Sequence, residues 1–377
     1  MLWDNELCNS ALGVRPLRIH FVDESETNAT AEIKRLKSEQ DTLQKSQPKA
    51  LKKLGLSVCY CGFFSMMDGK MMNFLFDNRC ASYCPFCKAT WSKMMQYLPS
   101  IKERISHLQA APLHALLRGM DCFFELGARN IAGVHKYRNK PSPMTEEEKV
   151  YVDMAKEMIE ETLAEIGLPY NQIRADKGGK FNDGNLVRKL LGNLENRKKF
   201  AEFTGIPLSI LTPFYTLYQA VVSRRAKMCP ERYNAKAKEL HDTWEQLFPW
   251  MPWSVSLHRL ADHIPEMMLI LPVTLSLCML SEEPLEALNK FIKRFQTENA
   301  RQDTLKHRNI DTFLRCIHQS CPNIHRYFDK KSRKRKQARF EKIPKEVLDL
   351  CIEEFLHVCI AVTQDETHFS DIEDDLY

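Results

Sequence analysis

Cys84-Pro85-Phe86-Cys87-Lys88-Ala89-Thr90 is the stretch from which the rest of the chain is read. Two thiols on one tight proline-bearing turn form a common half-site for tetrahedral zinc. The other half has to come from elsewhere. His258 and His263 are candidates, separated by four residues in His258-Arg259-Leu260-Ala261-Asp262-His263. Two sulfurs and two nitrogens fill a tetrahedron and leave no open position, which is a structural and not a catalytic arrangement. Positions i and i+5 do not share a face of an α-helix. The helix must therefore begin or bend between the histidines, or one of them sits on a loop. Local spacing does not join the two halves, since 171 positions separate Cys87 from His258. A buried thiol pair beside two ordinary histidines accounts for the same residues, and Cys80 is a competing ligand.

The composition is that of a globular chain. Of 377 residues, 44% are hydrophobic and 27% charged, enough for two or three domains or one catalytic domain with a large insertion. A net charge of +5 permits nucleic-acid binding without demanding it. Thirteen irregularly spaced cysteines, with acids early in the amino terminus, point to free thiols and metal ligands in an intracellular protein. Met267 to Leu280 is too short to span a bilayer and reads as buried core.

Leu17 to Val22 alternates apolar and polar residues and predicts a strand. Ala31 to Lys45 predicts a helix capped by Thr27 or Asn28. Leu56 to Phe64 and Met71 to Phe76 predict two further strands around the Asp68-Gly69 turn. After Cys87 the pattern is helical: most of 91–131, a helix opened by Thr145-Glu146-Glu147-Glu148, then 185–200, 207–227, 231–248, 281–301 and about 344–363. The expected fold class is α/β at the amino-terminal end and otherwise mainly α.

Two carboxylates stand out. Asp68 follows a strand, where metal-dependent nucleases place a ligand, although most such aspartates only form turns. Glu286 lies beside the apolar stripe Leu285, Leu288, Ile292 and Phe295, with Lys290 and Lys293 on its own face. A surface Glu–Lys pair explains that pattern equally well.

Taken in order, further stretches carry a resemblance. They are Asn5-Glu6-Leu7-Cys8, Asp23-Glu24-Ser25-Glu26, Asp68-Gly69-Lys70, Asn182 to Leu190, His258-x4-His263-Ile264-Pro265-Glu266, Glu286-Ala287-Leu288-Asn289-Lys290 and Asn299-Ala300-Arg301-Gln302. With the Cys84–Thr90 stretch, their order and spacing resemble the catalytic subunit of the V(D)J recombination-activating complex and the Transib-type transposases, from about residue 5 to 325. The resemblance implies an RNase H-like core interrupted by a helical zinc-binding insertion. It also implies a DDE endonuclease that nicks DNA and transfers strands with two divalent ions, Mg2+ or Mn2+. It maps catalytic, cation-holding acids onto Asp68 and Glu286, and zinc ligands onto Cys84, Cys87, His258 and His263. The implied division is a partial core over 1–80, the insertion over 81–265, the final catalytic helix over 266–305 and a tail over 306–377. The family's first catalytic aspartate has no counterpart, because Asp23 stands where the third strand of such a core falls. The chain is therefore expected to be a carboxyl-terminal portion, inactive alone. A non-catalytic zinc- and DNA-binding or partner-binding derivative is the alternative.

Lys177, Lys180, Asn185, Arg188 and Lys189 surround a glycine-rich loop that opens a helix, a setting suited to phosphates of double-stranded DNA. Lys290, Lys293 and Arg294 could reach phosphate near Glu286. A solvated basic loop is the plainer reading. Lys330 to Lys336 fits a nuclear localisation signal ahead of an acidic tail. A homodimer and a Kelch-type partner subunit are candidate assemblies, and no membrane association is expected.

Overall fold

The computed structural model describes residues 19, 25–45, 72–73, 76, 83–90, 93–94, 96–105, 111–135, 144–168, 184–223, 227–251, 253–270, 277–280, 283–321 and 343–352. Among these the protein is mainly helical and holds no strand beyond one isolated bridge, Met228 with Cys351. The expected strands at 17–22 and 56–64 lie outside the described residues, apart from Ile19, which has no regular structure. The expected strand at 71–76 is corrected. Met72 and Asn73 are helical, and the Phe76 N–H donates to the Met72 carbonyl at 3.1 Å. A six-residue, mostly apolar stretch broken only by Asn73 is too short to separate a strand from a buried helical turn by its period. No described helix is long and apolar enough to cross a membrane.

The chain forms two units, each assembled from separated segments. The first comprises Met1–Pro85, Ile101–Ala111 and Met279–Glu341. It contains α1 (Glu26–Lys45), α2 (Lys102–Ile105), α11 (Glu283–Arg294) running into a π-turn (Phe295–Asn299), and α12 (Leu305–Gln319). Helix α1 begins earlier than expected. Its cap is Ser25, whose hydroxyl accepts the Asn28 N–H. Helix α11 packs on α12 through buried Leu288 and Cys316, with Ile19, Phe291, Ile292 and Phe295 around them. Leu285 leaves the expected stripe and is 50% exposed. Arg301 gives its backbone N–H and two guanidinium N–H groups to Asp311, closing the loop between the helices. Those bonds hold the Asp311 carboxyl far below its usual range.

The second unit comprises Phe86–Ser100, Pro112–Cys278 and Lys342–Tyr377. Its axis is α3 (Pro112–Ala132), whose apolar residues recur at helical spacing: Leu116, Gly119, Met120, Phe123, Phe124 and Gly127. Around it stand α4 (Glu146–Glu165), α5 (Gly184–Gly192), α6 (Leu194–Thr204), α7 (Leu208–Val222) and α8 (Pro230–Leu247). Thr145 and Glu148 form the capping box that starts α4. The single helix expected over 185–200 is two, because Asn193 caps a new start. Gly119 lets α3 and α7 meet closely. A Cβ there would lie 2.3 Å from Phe214 Cζ. Trp244 and Trp253 are buried, with the Trp244 indole N–H on the Met251 carbonyl at 2.9 Å and Trp253 edge-on to Trp244.

Of the helix expected over 344–363, the described residues up to 352 hold one turn, α13 (Lys345–Leu348), and 353–363 lie outside the described residues. The chain then pairs with 227–229 instead. The Cys229 N–H donates to Leu350, the Ile352 N–H to Lys227, and Arg232 to the Cys351 carbonyl. Of the core expected over 267–280, Met267, Leu277 and Cys278 are buried, whereas Leu269 and Ile270 are exposed. Residues 271–276 lie outside the described residues.

Candidate metal centre

Cys84, Cys87, His258 and His263 come together, with one ligand atom from each lying within 4.8 Å of all the others. Cys84 and both histidines are fully buried, and Cys87 is half-buried. Cys87 Sγ is 3.3 Å from His258 Nε2, which is 3.1 Å from His263 Nε2. A tetrahedral ion with bonds of about 2.3 Å to sulfur and about 2.05 Å to nitrogen needs donor–donor edges of about 3.3–3.8 Å. The donors therefore fit a closed four-coordinate ion such as zinc, and Cys80 lies outside the described residues.

Local structure explains both halves. The cysteine turn folds back so that the Ala89 N–H points at Cys87 Sγ, 3.3 Å away. A backbone donor suits a sulfur carrying negative charge. The reversal puts Lys88 at φ +62°, in the left-handed region that side chains avoid. Arg104 secures the turn by donating to the Pro85 carbonyl. On the other half, α9 (Val255–His258) passes into a π-turn (Arg259–His263) and then α10 (Ile264–Ile270). In an α-helix, i+5 is about 140° from i around the axis. The wider π-turn brings the two imidazoles back to one side. It also disturbs the carbonyl ladder, and buried Tyr233 donates its hydroxyl to the Leu260 carbonyl at 2.9 Å. Burial raises the pKa of Tyr233 well above its ordinary value, so it remains a donor.

With both Nε2 atoms turned inward, the Nδ1 atoms meet acids. His258 Nδ1 lies 2.6 Å from Asp262 Oδ2, and His263 Nδ1 lies 3.0 Å from Glu266 Oε2. Ser100 donates its hydroxyl to Glu266 and sits 2.7 Å from His263 Nδ1. The Ser100 N–H and Tyr97 hydroxyl reach Glu266 Oε1 at 3.1 and 2.9 Å. Burial pushes the Glu266 carboxyl up, but His263, Ser100 and Tyr97 outweigh it and hold it down to about 2. Burial first, and Glu266 second, push Tyr97 up to about 12. The His263–Glu266 pair is a hydrogen bond of the kind that fixes the tautomer and orientation of a metal-bound imidazole, whereas His258 and Asp262 lie close together without hydrogen-bond geometry between them. None of this outer layer was expected from the sequence. The signal was present, since Asp262 and Glu266 stand four and three positions after their histidines.

The other expected site residues are placed as follows. Asp68, Lys177 and Lys180 lie outside the described residues. Glu286 is on α11, with its side chain outside them. Lys290, Lys293 and Arg294 are exposed on the same helix, and Arg294 pairs with Glu298. Asn185 in the first turn of α5 and Lys189 in its last are exposed. Arg188 instead turns toward the protein and donates twice to the Tyr218 hydroxyl, at 2.9 and 2.7 Å. Neither a scan of protein-family models nor a search of curated proteins finds a match to the chain.

Proposed function

We propose that this chain is part of a nuclear DNA recombinase or transposase of the recombination-activating type, with zinc in the Cys84–Cys87–His258–His263 centre. One observation carries the reading. The four residues that the resemblance assigns as zinc ligands, spread over two distant segments, converge with one ligand atom from each within 4.8 Å of all the others. Chance agreement at four positions is improbable for an unrelated chain. On this reading 1–80 supplies a partial RNase H-like core with Asp68, and Glu286 arrives on a helix whose exposed cations Lys290 and Lys293 suit DNA phosphate. The zinc is structural, because no coordination position is left for substrate. Mg2+ or Mn2+ at Asp68 and Glu286 would serve the DNA chemistry.

The test uses zinc-loaded protein and has two readouts. Binding to a labelled DNA duplex is measured across a salt series, and Mn2+ binding is measured by electron paramagnetic resonance. The proposal expects steeply salt-dependent duplex binding, weakened by Lys290→Ala with Lys293→Ala. It expects Mn2+ binding that is lost in Asp68→Asn and in Glu286→Gln. DNA binding without any Mn2+ site would favour the non-catalytic derivative. Failure to bind duplex at low salt would overturn the proposal and leave only a partner-binding derivative.

A further inference from the structure

Helix α4 has two apolar faces, and the fold uses one. Val152, Ala155, Ile159 and Leu163 turn inward and are buried. On the opposite side Val150, Tyr151, Met154 and Met158 form a stripe at i, i+1, i+4 and i+8, exposed by 58%, 50%, 54% and 46%. Single exposed apolar residues are ordinary, but a continuous line of four along one helix face is a mark of an interaction surface. Two of the four are methionines, whose flexible thioethers adapt to a partner's shape.

The charge around the stripe identifies the partner's chemistry. Helix α4 carries eight acids and only two lysines, in a chain whose net charge is +5. Both lysines are engaged, Lys149 with Glu146 and Lys156 with Glu125 and Asp153. Glu147, Asp153, Glu157, Glu161 and Glu165 are exposed beside or along the stripe. Such a face repels nucleic acid and anionic lipid. It also disfavours a second copy of itself, which would set acid against acid. It complements an apolar stripe flanked by lysine and arginine.

We infer that the outer face of α4 is a docking surface for a basic amphipathic helix of a partner protein, with Met154 and Met158 as central anchors and the flanking glutamates steering the approach. This stands independently of the function proposed above, because it uses neither the metal centre nor DNA.

The test is fluorescence anisotropy with the zinc-loaded full chain and a labelled lysine–leucine peptide whose leucines fall at i, i+3, i+4 and i+7. A scrambled peptide of identical composition and a glutamate–leucine peptide serve as controls. The patterned basic peptide should bind at least tenfold more tightly than either control. Met154→Ser with Met158→Ser should weaken it by about tenfold or more. Glu157→Lys with Glu161→Lys should weaken it and remove its salt dependence. All four positions are exposed, so helicity and metal content should match the wild type, which separates lost docking from lost folding. Equal binding of patterned and scrambled peptides would overturn the inference, as would patterned binding indifferent to both double variants. Sedimentation showing a dimer abolished by Met154→Ser with Met158→Ser would assign the face to a second copy instead. Binding that appears only after residues 330–336 are deleted would assign it to the chain's own basic run.

Discussion

Stripping the metal from the Cys84–Cys87–His258–His263 centre should unfold the part of the second unit that carries Cys87, His258 and His263, and the size of the effect can be worked out. Three of the four ligands are fully buried and all four donors lie within 4.8 Å. The ion therefore binds the folded arrangement and has no comparable site in an unfolded chain. Its stabilisation follows RT ln(1 + [L]/Kd), about 4 kcal/mol when free zinc exceeds Kd a thousandfold. Structural zinc sites reach about 10–16 kcal/mol in total, so that figure is conservative. For a unit of this size about 1 kcal/mol shifts the melting temperature by about 2–4 °C. Chelation should then lower it by about 8–16 °C and reduce helicity. Differential scanning calorimetry with and without chelator measures the shift, with elemental analysis confirming one zinc per chain before and none after. His263→Ala should reproduce the apo behaviour without chelator. Cys316→Ser, which removes a buried thiol from the other unit, should leave the chelator response intact. Quantitative metal loss with an unchanged transition would refute the reasoning, because the four side chains would then be ordinary packing.

Glu266→Gln should weaken zinc about 10–100-fold while leaving all four ligands in place, and Asp262→Asn should weaken it less, measured by competition with a chromophoric chelator. Glu266 has a folded pKa near 2 against an ordinary 4.5, so its contribution to stability is full above 4.5 and is lost as pH falls toward 2. Glu266→Gln should accordingly show a flatter acid denaturation than the wild type across that window. Lys88→Gly should hold or raise stability by up to about 1 kcal/mol in urea melts, since glycine accepts φ +62° freely, whereas Lys88→Val should lower it by at least that much. Gly119→Ala should cost about 1–3 kcal/mol by driving a methyl group into the Phe214 ring.

The helices of the second unit were largely legible because their starts carry chemical signals. Thr145 with Glu148 announced α4, and Pro230 stands at the first position of α8. Asn193 was passed over, since the apolar period runs on through it and hides the break. The metal centre was half legible. The Cys84–Cys87 turn is a local pattern, but no local rule joins it to His258 and His263, and only the order of motifs linked them. The π-turn was foreseen merely as some departure from an α-helix, because its hydrogen-bond register leaves no compositional trace. The roles of Ser100 and Tyr97 were illegible for the same reason as the pairing itself: they reach Glu266 across 166 and 169 positions of sequence. The short carboxyl-terminal helix shows the limit of propensity. Residues after Leu348 have good helix-forming neighbours, yet backbone pairing with 227–229 takes them.

The π-turn at Arg259–His263 contains one residue more than an α-helix would use for the same advance. Deleting one residue from 259–262 would leave the histidines at i and i+4, a spacing that an uninterrupted α-helix already places on one face. Metal could still be gripped. The helix beyond would keep its phase, because the deletion removes only the residue that the wider turn absorbs, and Ile264 and Met267 would stay on the core side. The extra residue is therefore needed neither to align the histidines nor to orient the helix that follows; what it adds is an interruption of the carbonyl ladder, where the buried Tyr233 hydroxyl takes hold of Leu260.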